Sequence, residues 1–187
     1  MKHDLVVHVA EVERPLGSVR LAATAQGMCR LAFPGEPDSA FDAWLKRWCV
    51  GGVVRENAEP FAALREQLHA YCAGELRAFD APLDLRATPF QRRVLERVGQ
   101  IPYGQTTTYG QIAAELGEPN SARAVGAANG ANPLPLLIPC HRVVGSDGSL
   151  VGFGGGMALK RWLLQLEGHA LLGNHIAAFK GRSLFAP

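Results

Sequence analysis

The chain has 187 residues, of which 48% are hydrophobic and 19% charged, with a formal net charge of +2. That length suits one ordinary domain or two small ones, and that hydrophobic share excludes a disordered tail. The near-zero charge neither demands nor excludes a nucleic-acid partner, no apolar run reaches the ~18 residues of a membrane span, and 21 glycines and 12 prolines announce many turns.

The first third alternates in hydrophobicity. Leu5, Val7 and Val9 fall on one side of a strand, residues 16–23 and 28–33 read as two more, and Ala25-Gln26-Gly27 between them suggests a hairpin. Pro34-Gly35-Glu36-Pro37 breaks the pattern. Phe41, Trp44, Leu45 and Trp48 then recur at helical spacing up to Gly51-Gly52, and a second helix is expected over 58–76 with Phe61, Leu64, Leu68, Tyr71 and Cys72 on its buried face. Residues 81–84 read as an extended connector between an N-terminal domain, 1–80, and a C-terminal domain, 88–187.

Beyond the connector, Thr88-Pro89-Phe90-Gln91 signals a helix start twice, through a capping box and a proline at the first helical position. Phe90, Val94, Leu95 and Val98 mark its buried face. Thr108 with Gln111 forms a second capping box, opening a short helix with Ile112, Ala113 and Leu116 inward. After Gly117-Glu118-Pro119 a further short helix spans 121–129. The two short helices match a helix-turn-helix in length and spacing. The second is small-sided and carries one charge, Arg123, so it can approach another backbone closely, whether a DNA groove or a neighbouring helix. The expected fold class is α+β: a small antiparallel sheet domain with helices, and a mostly helical, winged-helix-like domain carrying the helix-turn-helix.

Residues 132–144 combine three prolines with a strongly apolar run. They read as a rigid, extended, buried ribbon that presents Cys140 and His141. None of the four cysteines forms a C-x-x-C pair, so zinc and thioredoxin-type signals are absent. With no secretory pattern at the N-terminus, the expectation is a cytoplasmic protein with free thiols. Cys29, Cys49 and Cys72 read as structural. Cys140 differs because a histidine able to take its proton, and an arginine two positions on, are what a reactive thiolate needs nearby. Adjacent residues on an extended chain point to opposite faces, so His141 is expected to reach the sulfur through a water.

Pro139-Cys140-His141-Arg142-Val143 resembles the acceptor motif of the O6-alkylguanine-DNA alkyltransferases. Thr88-Pro89-Phe90-Gln91, Ile101-Pro102-Tyr103-Gly104, Thr108-Tyr109-Gly110-Gln111, Arg123-Ala124-Val125-Gly126, Asn132-Pro133, residues 152–156 and the helix from Lys160 to Glu167-Gly168 are similar to the family pattern, in order. The likeness is strong over residues 88–168 and looser before them, resting there on Pro15-Leu16-Gly17-Ser18.

The resemblance implies irreversible, single-turnover transfer of an alkyl group from guanine O6, or thymine O4, in double-stranded DNA to Cys140, with no cofactor and no metal. It implies that His141 takes the thiol proton and that Glu167 orients His141. Arg123 would replace the flipped base in the stack, and Tyr109 would crowd the 3′ phosphate and donate to guanine N3. Ala122, Ala124, Gly126 and Ala127 would line the minor-groove approach. Asn132 would tie the helix-turn-helix to the acceptor segment. Pro135, Val143, Phe153, Gly154 and Gly155 would border the base pocket, with the carbonyls of Cys140 and Val143 accepting the guanine 2-amino group. Many members carry tyrosine where Phe153 stands, and Gly154 projects no side chain, so larger adducts such as benzyl are expected to enter. The implied protein is a monomer without membrane contact, with cooperative binding along DNA left open. Three rivals remain at this point: a lesion-binding relative without chemistry, a cysteine hydrolase, and a plain helix-turn-helix regulator. In the tail, Leu171, Leu172, Ile176 and Phe179 suggest packing on the body, and Lys180 and Arg182 could touch phosphates.

Overall fold

The structure is a computed structural model that describes residues 5–13, 16–177 and 179. Pro15, Lys180 and Arg182 lie outside the described residues. The chain forms two compact units, Met1–Arg86 and Ala87–Pro187.

In the first unit, β1 (Val6–Val12), β2 (Val19–Thr24) and β3 (Gly27–Ala32) are antiparallel neighbours, and β4 (Val53–Glu56) pairs with β1 in parallel, giving the order β3-β2-β1-β4. The β2–β3 hairpin turns at Ala25-Gln26, as the turn residues dictate. Gly27 is required there: its φ is +132°, and a Cβ would lie 2.2 Å from the Pro82 carbonyl oxygen. That oxygen accepts from the Met28 N–H at 2.8 Å, and the Asp84 N–H donates to the Met28 carbonyl at 2.8 Å. Residues read as a connector therefore cover the outer edge of β3. Four-residue β4, wholly exposed, was too short to leave a period in the sequence.

Helix α1 (Asp38–Trp48) buries Phe41 and Leu45, while Trp44 and Trp48 are half-buried. Helix α2 (Ala62–Cys72) is shorter than the expected 58–76. Pro60 sits in a 3-10 turn, Glu59–Phe61, before it, and Gly74 at φ +78° follows its end. Phe61, Leu64, Leu68 and Tyr71 are buried, but Cys72 is half-buried.

In the second unit α3 (Pro89–Gly99) and α4 (Tyr109–Glu115) each begin with a complete capping box, from Thr88 with Gln91 and from Thr108 with Gln111. Val94, Leu95 and Val98 are buried, whereas Phe90 and Leu116 are only half-buried. Helix α5 (Ala122–Gly130) packs against α3 and α4. A parallel pair, β5 (Thr107–Thr108) with β6 (Val143–Val144), joins the cap of α4 to the chain just after Cys140. Helix α6 (Gly156–Leu166) follows, then the hairpin β7 (Leu171–Leu172) and β8 (His175–Ile176). Ile176 is buried with Val144, Leu150 and Leu164, and Leu171 and Phe179 pack on them. Leu172 instead is 72% exposed. No helix among the described residues is long and apolar enough to cross a membrane.

Candidate active site

The segment before Cys140 is buried, as its apolar run requires, but it is not an extended ribbon. It folds back on itself. The Asn132 side chain accepts from the Leu134 N–H at 3.0 Å and donates to the Ile138 carbonyl at 2.8 Å. The Ile138 N–H closes the loop onto the Leu134 carbonyl at 2.8 Å, and Leu136 adopts φ +76°. Prolines punctuate turns here, whereas the sequence pattern alone predicts a straight run. Cys140–Arg142 is one turn of 3-10 helix. Its side chains therefore fan out at about 120° intervals, so Cys140 and His141 diverge for a different reason from the alternation expected.

Cys140 is 6% exposed. Burial pushes its thiol up to about 11, against hydrogen bonding from Asn132, the Lys160 charge and backbone N–H groups. Asn129, at the end of α5, donates to the Cys140 carbonyl at 3.3 Å and is hydrogen-bonded to the Tyr109 phenol. Burial and the nearby Cys140 raise the pKa of that phenol, which keeps it protonated and a donor.

His141 is fully buried, with Nε2 3.0 Å from Glu167 Oε1. A carboxylate only accepts, so Nε2 carries the proton and Nδ1 is the basic nitrogen. Burial lowers the His141 pKa despite Glu167, so the ring is neutral near pH 7. Glu167 is buried at the end of α6. Burial would raise its pKa, but hydrogen bonds from His141 and Arg142 hold it down to about 2. Arg142 grips it from Nε at 2.9 Å and from its terminal nitrogen at 2.8 Å, and also donates to the Ile101 carbonyl at 2.6 Å. The Gly104 N–H adds a contact at 3.3 Å. Arg142 thus serves Glu167, and not the sulfur that its place in the sequence suggests.

The cation beside the sulfur is Lys160. It is fully buried on α6 and donates to the Val143 carbonyl at 2.8 Å and the Val151 carbonyl at 2.7 Å. Burial brings its pKa down to about 8, opposed by Cys140. The Val143 carbonyl therefore already has a donor, as does that of Cys140.

An apolar cavity of about 720 Å³ opens between α5, the start of α4 and the loop before α6. Tyr109, Ala122, Arg123, Gly126, Phe153 and Gly154 are among its lining residues. Tyr109 is close enough to Cys140 to feel its charge, although Cys140 itself is not among the lining residues, and the Phe153 ring meets His141 edge-on at 6.3 Å between centroids. A Cβ on Gly154 would meet nothing within 4 Å. Ala124 and Ala127 are exposed on α5, Gly155 is the N-cap of α6, and Asn132, Pro135 and Val143 are buried. These last six are not in the cavity wall.

Comparison with known proteins matches residues 89–169 to the family description "6-O-methylguanine DNA methyltransferase, DNA binding domain" and residues 7–85 to "6-O-methylguanine DNA methyltransferase, ribonuclease-like domain". This chain belongs to the 6-O-methylguanine DNA methyltransferase family. It is 43% identical over 162 residues to a methylated-DNA–protein-cysteine methyltransferase of Mycolicibacterium paratuberculosis, covering 87% of this chain and 93% of that protein. To one from Methanosarcina acetivorans it is 40% identical, covering 87% and 99%. A crystal structure of Mycobacterium tuberculosis OGT in complex with DNA superposes with a TM-score of 0.72 at 40% identity, covering 87% of this chain and 92% of that one.

In this member of the 6-O-methylguanine DNA methyltransferase family the sequence reading missed two residues. In the sequence Lys160 is only part of a helix motif. Its signal was a lone lysine on a helix face otherwise formed by Leu163 and Leu164, both buried. Asn129 reads in the sequence as the end of a helix, and a polar side chain on the same face as buried Val125 is the clue. Among the described residues no group of three or more His, Cys, Asp or Glu side chains could hold a metal ion.

Proposed function

We propose that this protein reverses alkylation damage in DNA directly, moving the alkyl group from guanine O6 onto Cys140 in a single, irreversible turnover. The observation that carries the reading is the buried Cys140 thiol next in the chain to a neutral His141 held by the ionised Glu167, near Tyr109, which lines an apolar cavity bordered by a small-sided helix. Family membership supports the reaction class, and a DNA-bound relative supports DNA as the partner.

The target atom is inside a stacked duplex, so the nucleotide must rotate out into the cavity. Arg123, exposed on α5, fills the vacated stack, while Ala122, Ala124, Gly126 and Ala127 let the helix lie close in the minor groove. The Cys140 proton passes through a bridging water to His141 Nδ1, and Glu167 stabilises the imidazolium. The sulfur attacks the alkyl carbon in line, the carbon–O6 bond breaks, and its electron pair stays on guanine. Tyr109, held as a phenol, donates toward N3 of the departing base. Lys160 offsets charge on the sulfur and fixes the loops that carry Val143 and Val151. The product thioether has no leaving group that water could displace, so the protein is consumed.

One molecule serves one lesion, and mass spectrometry after incubation with a duplex containing O6-methylguanine tests this. The expected result is a gain of one methyl per chain, confined to Cys140 and abolished in Cys140→Ala with DNA binding retained. Multiple turnovers without modification would instead mean a hydrolase, and uptake at another residue would overturn the assignment.

A further inference from the structure

Two cysteines outside the acceptor turn meet in the first unit. Cys29 on β3 and Cys49 at the C-terminal end of α1 share one core cluster with Val7, Ala22, Phe41 and Leu45, and their thiols are hydrogen-bonded to each other. Cys29 is fully buried. Cys49 is 5% exposed and lines a cavity of about 440 Å³ bounded by Leu45, Val50, Gly51, Gly52 and Val54. Arg86, which donates to the Trp48 carbonyl at 2.6 Å, brings a positive charge to the same helix end. Asp84, paired with Arg86 at 2.7 Å, offsets part of it.

We propose that Cys49 and Cys29 are an oxidisable dithiol, in which Cys49 reacts with a small hydroperoxide entering the cavity and Cys29 resolves the product as an intramolecular disulfide. The Cys49 sulfur attacks one peroxide oxygen and the O–O bond breaks. The other oxygen leaves with the thiol proton, as water from hydrogen peroxide, so that the sulfur is oxidised to sulfenic acid as the peroxide is reduced. The Cys29 sulfur then attacks Cys49. The S–S bond forms, the S–O bond breaks, and the hydroxyl departs with the Cys29 proton as a second water.

The electrostatics divide the thiols by task. The Cys29 hydrogen bond and Arg86 hold Cys49 down to about 7 against burial, while the same bond and burial raise Cys29. Burial holds Cys72 and Cys140 up at about 11. At pH 7 Cys49 therefore carries more thiolate than Cys140. The lower intrinsic nucleophilicity of the more acidic thiol offsets only part of that advantage. The pair thus meets oxidant before the acceptor does, and its oxidation leaves Cys140 intact.

The test uses the full reduced chain at pH 7 with less than one equivalent of hydrogen peroxide, followed by alkylation of remaining thiols, peptide mapping and titration of methyl-acceptor capacity. A Cys29–Cys49 linked peptide, slower loss of Cys140 thiol than of Cys49 thiol and undiminished acceptor capacity are expected. First oxidation at Cys140 or Cys72, or only intermolecular disulfides, would overturn the proposal. In Cys29→Ala, dimedone should trap a sulfenic acid at Cys49, and a folded variant that traps none would refute the attacking role. If that variant does not fold, the wild-type map decides alone.

Discussion

Replacing Glu167 by Gln keeps the shape of the side chain and removes its charge. In the native protein the carboxylate accepts from His141, twice from Arg142 and from the Gly104 N–H. A glutamine can meet only part of that donor set, because its amide nitrogen would face N–H groups. The carboxyl falls from an ordinary 4.5 to about 2 on folding, which at 1.36 kcal/mol per pH unit corresponds to about 3 kcal/mol. That matches the roughly 3–5 kcal/mol that breaking a buried ion pair costs. Because the folded value is the lower one, this stability is complete above pH 4.5 and is lost as pH falls from 4.5 toward 2. Urea melts from pH 7 to pH 2 should show E167Q about 3 kcal/mol less stable at pH 7, with a shallower acid limb below 4.5. Single-turnover transfer should fall about 100-fold, the share typical of a positioned base, with DNA affinity unchanged. A variant with the wild-type acid limb and transfer rate would refute the Glu167–His141 couple.

Arg123→Ala should slow repair of a lesion in duplex DNA much more than reaction with the free modified base, since only the duplex needs a side chain in the vacated stack; equal losses on the two substrates would remove that role. Gly154→Trp should fit the fold, because the space beside Gly154 is open, yet reduce the reaction with benzyl adducts at least tenfold more than with methyl, and a uniform loss would show that this wall does not select adduct size. Lys160→Met leaves two carbonyls without their donor, costing about 2–4 kcal/mol. Wild-type Lys160 releases its proton near pH 8 when folded but at 10.5 when unfolded, so the unfolded chain holds the extra proton between those values. Stability should therefore rise with pH across that window, and the rise should be missing from the Met variant in the same melts.

Elements with a repeating chemical signature were legible. Both capping boxes fix their helices because a threonine and a glutamine three positions apart satisfy each other's backbone partners locally. The pairing of His141 with Glu167 was legible through motif resemblance. What escaped depends on partners distant in the chain. Lys160 looks like any helical lysine until the carbonyls of Val143 and Val151 close over it. Arg142 was assigned to the sulfur because it is near in sequence, but its planar guanidinium fits the carboxylate of Glu167, 25 residues away. The loop before Cys140 was read as straight because proline excludes helix, yet proline allows turns equally well. Only the Asn132 side chain, bonded forward to Leu134 and Ile138, decides between them.

A protein that is consumed by its own reaction must not react with stray electrophiles, and the resting state of Cys140 meets that need. With its thiol up at about 11, only about one molecule in ten thousand carries a thiolate at pH 7. If that rare resting thiolate were the attacking species, transfer would rise tenfold per pH unit through the neutral range. If the proton instead moves to His141 once a base occupies the cavity, the rate depends on neutral imidazole, which the lowered pKa of His141 supplies throughout that range. Single-turnover transfer on a duplex substrate should therefore be flat between pH 6.5 and 7.5, below the region where Lys160 loses its charge. In His141→Gln, which keeps a polar group at Glu167 but cannot accept the proton, the rate should drop and the tenfold-per-unit rise should appear. A wild-type profile already climbing at that slope would mean that the His141–Glu167 couple braces the fold and moves no proton.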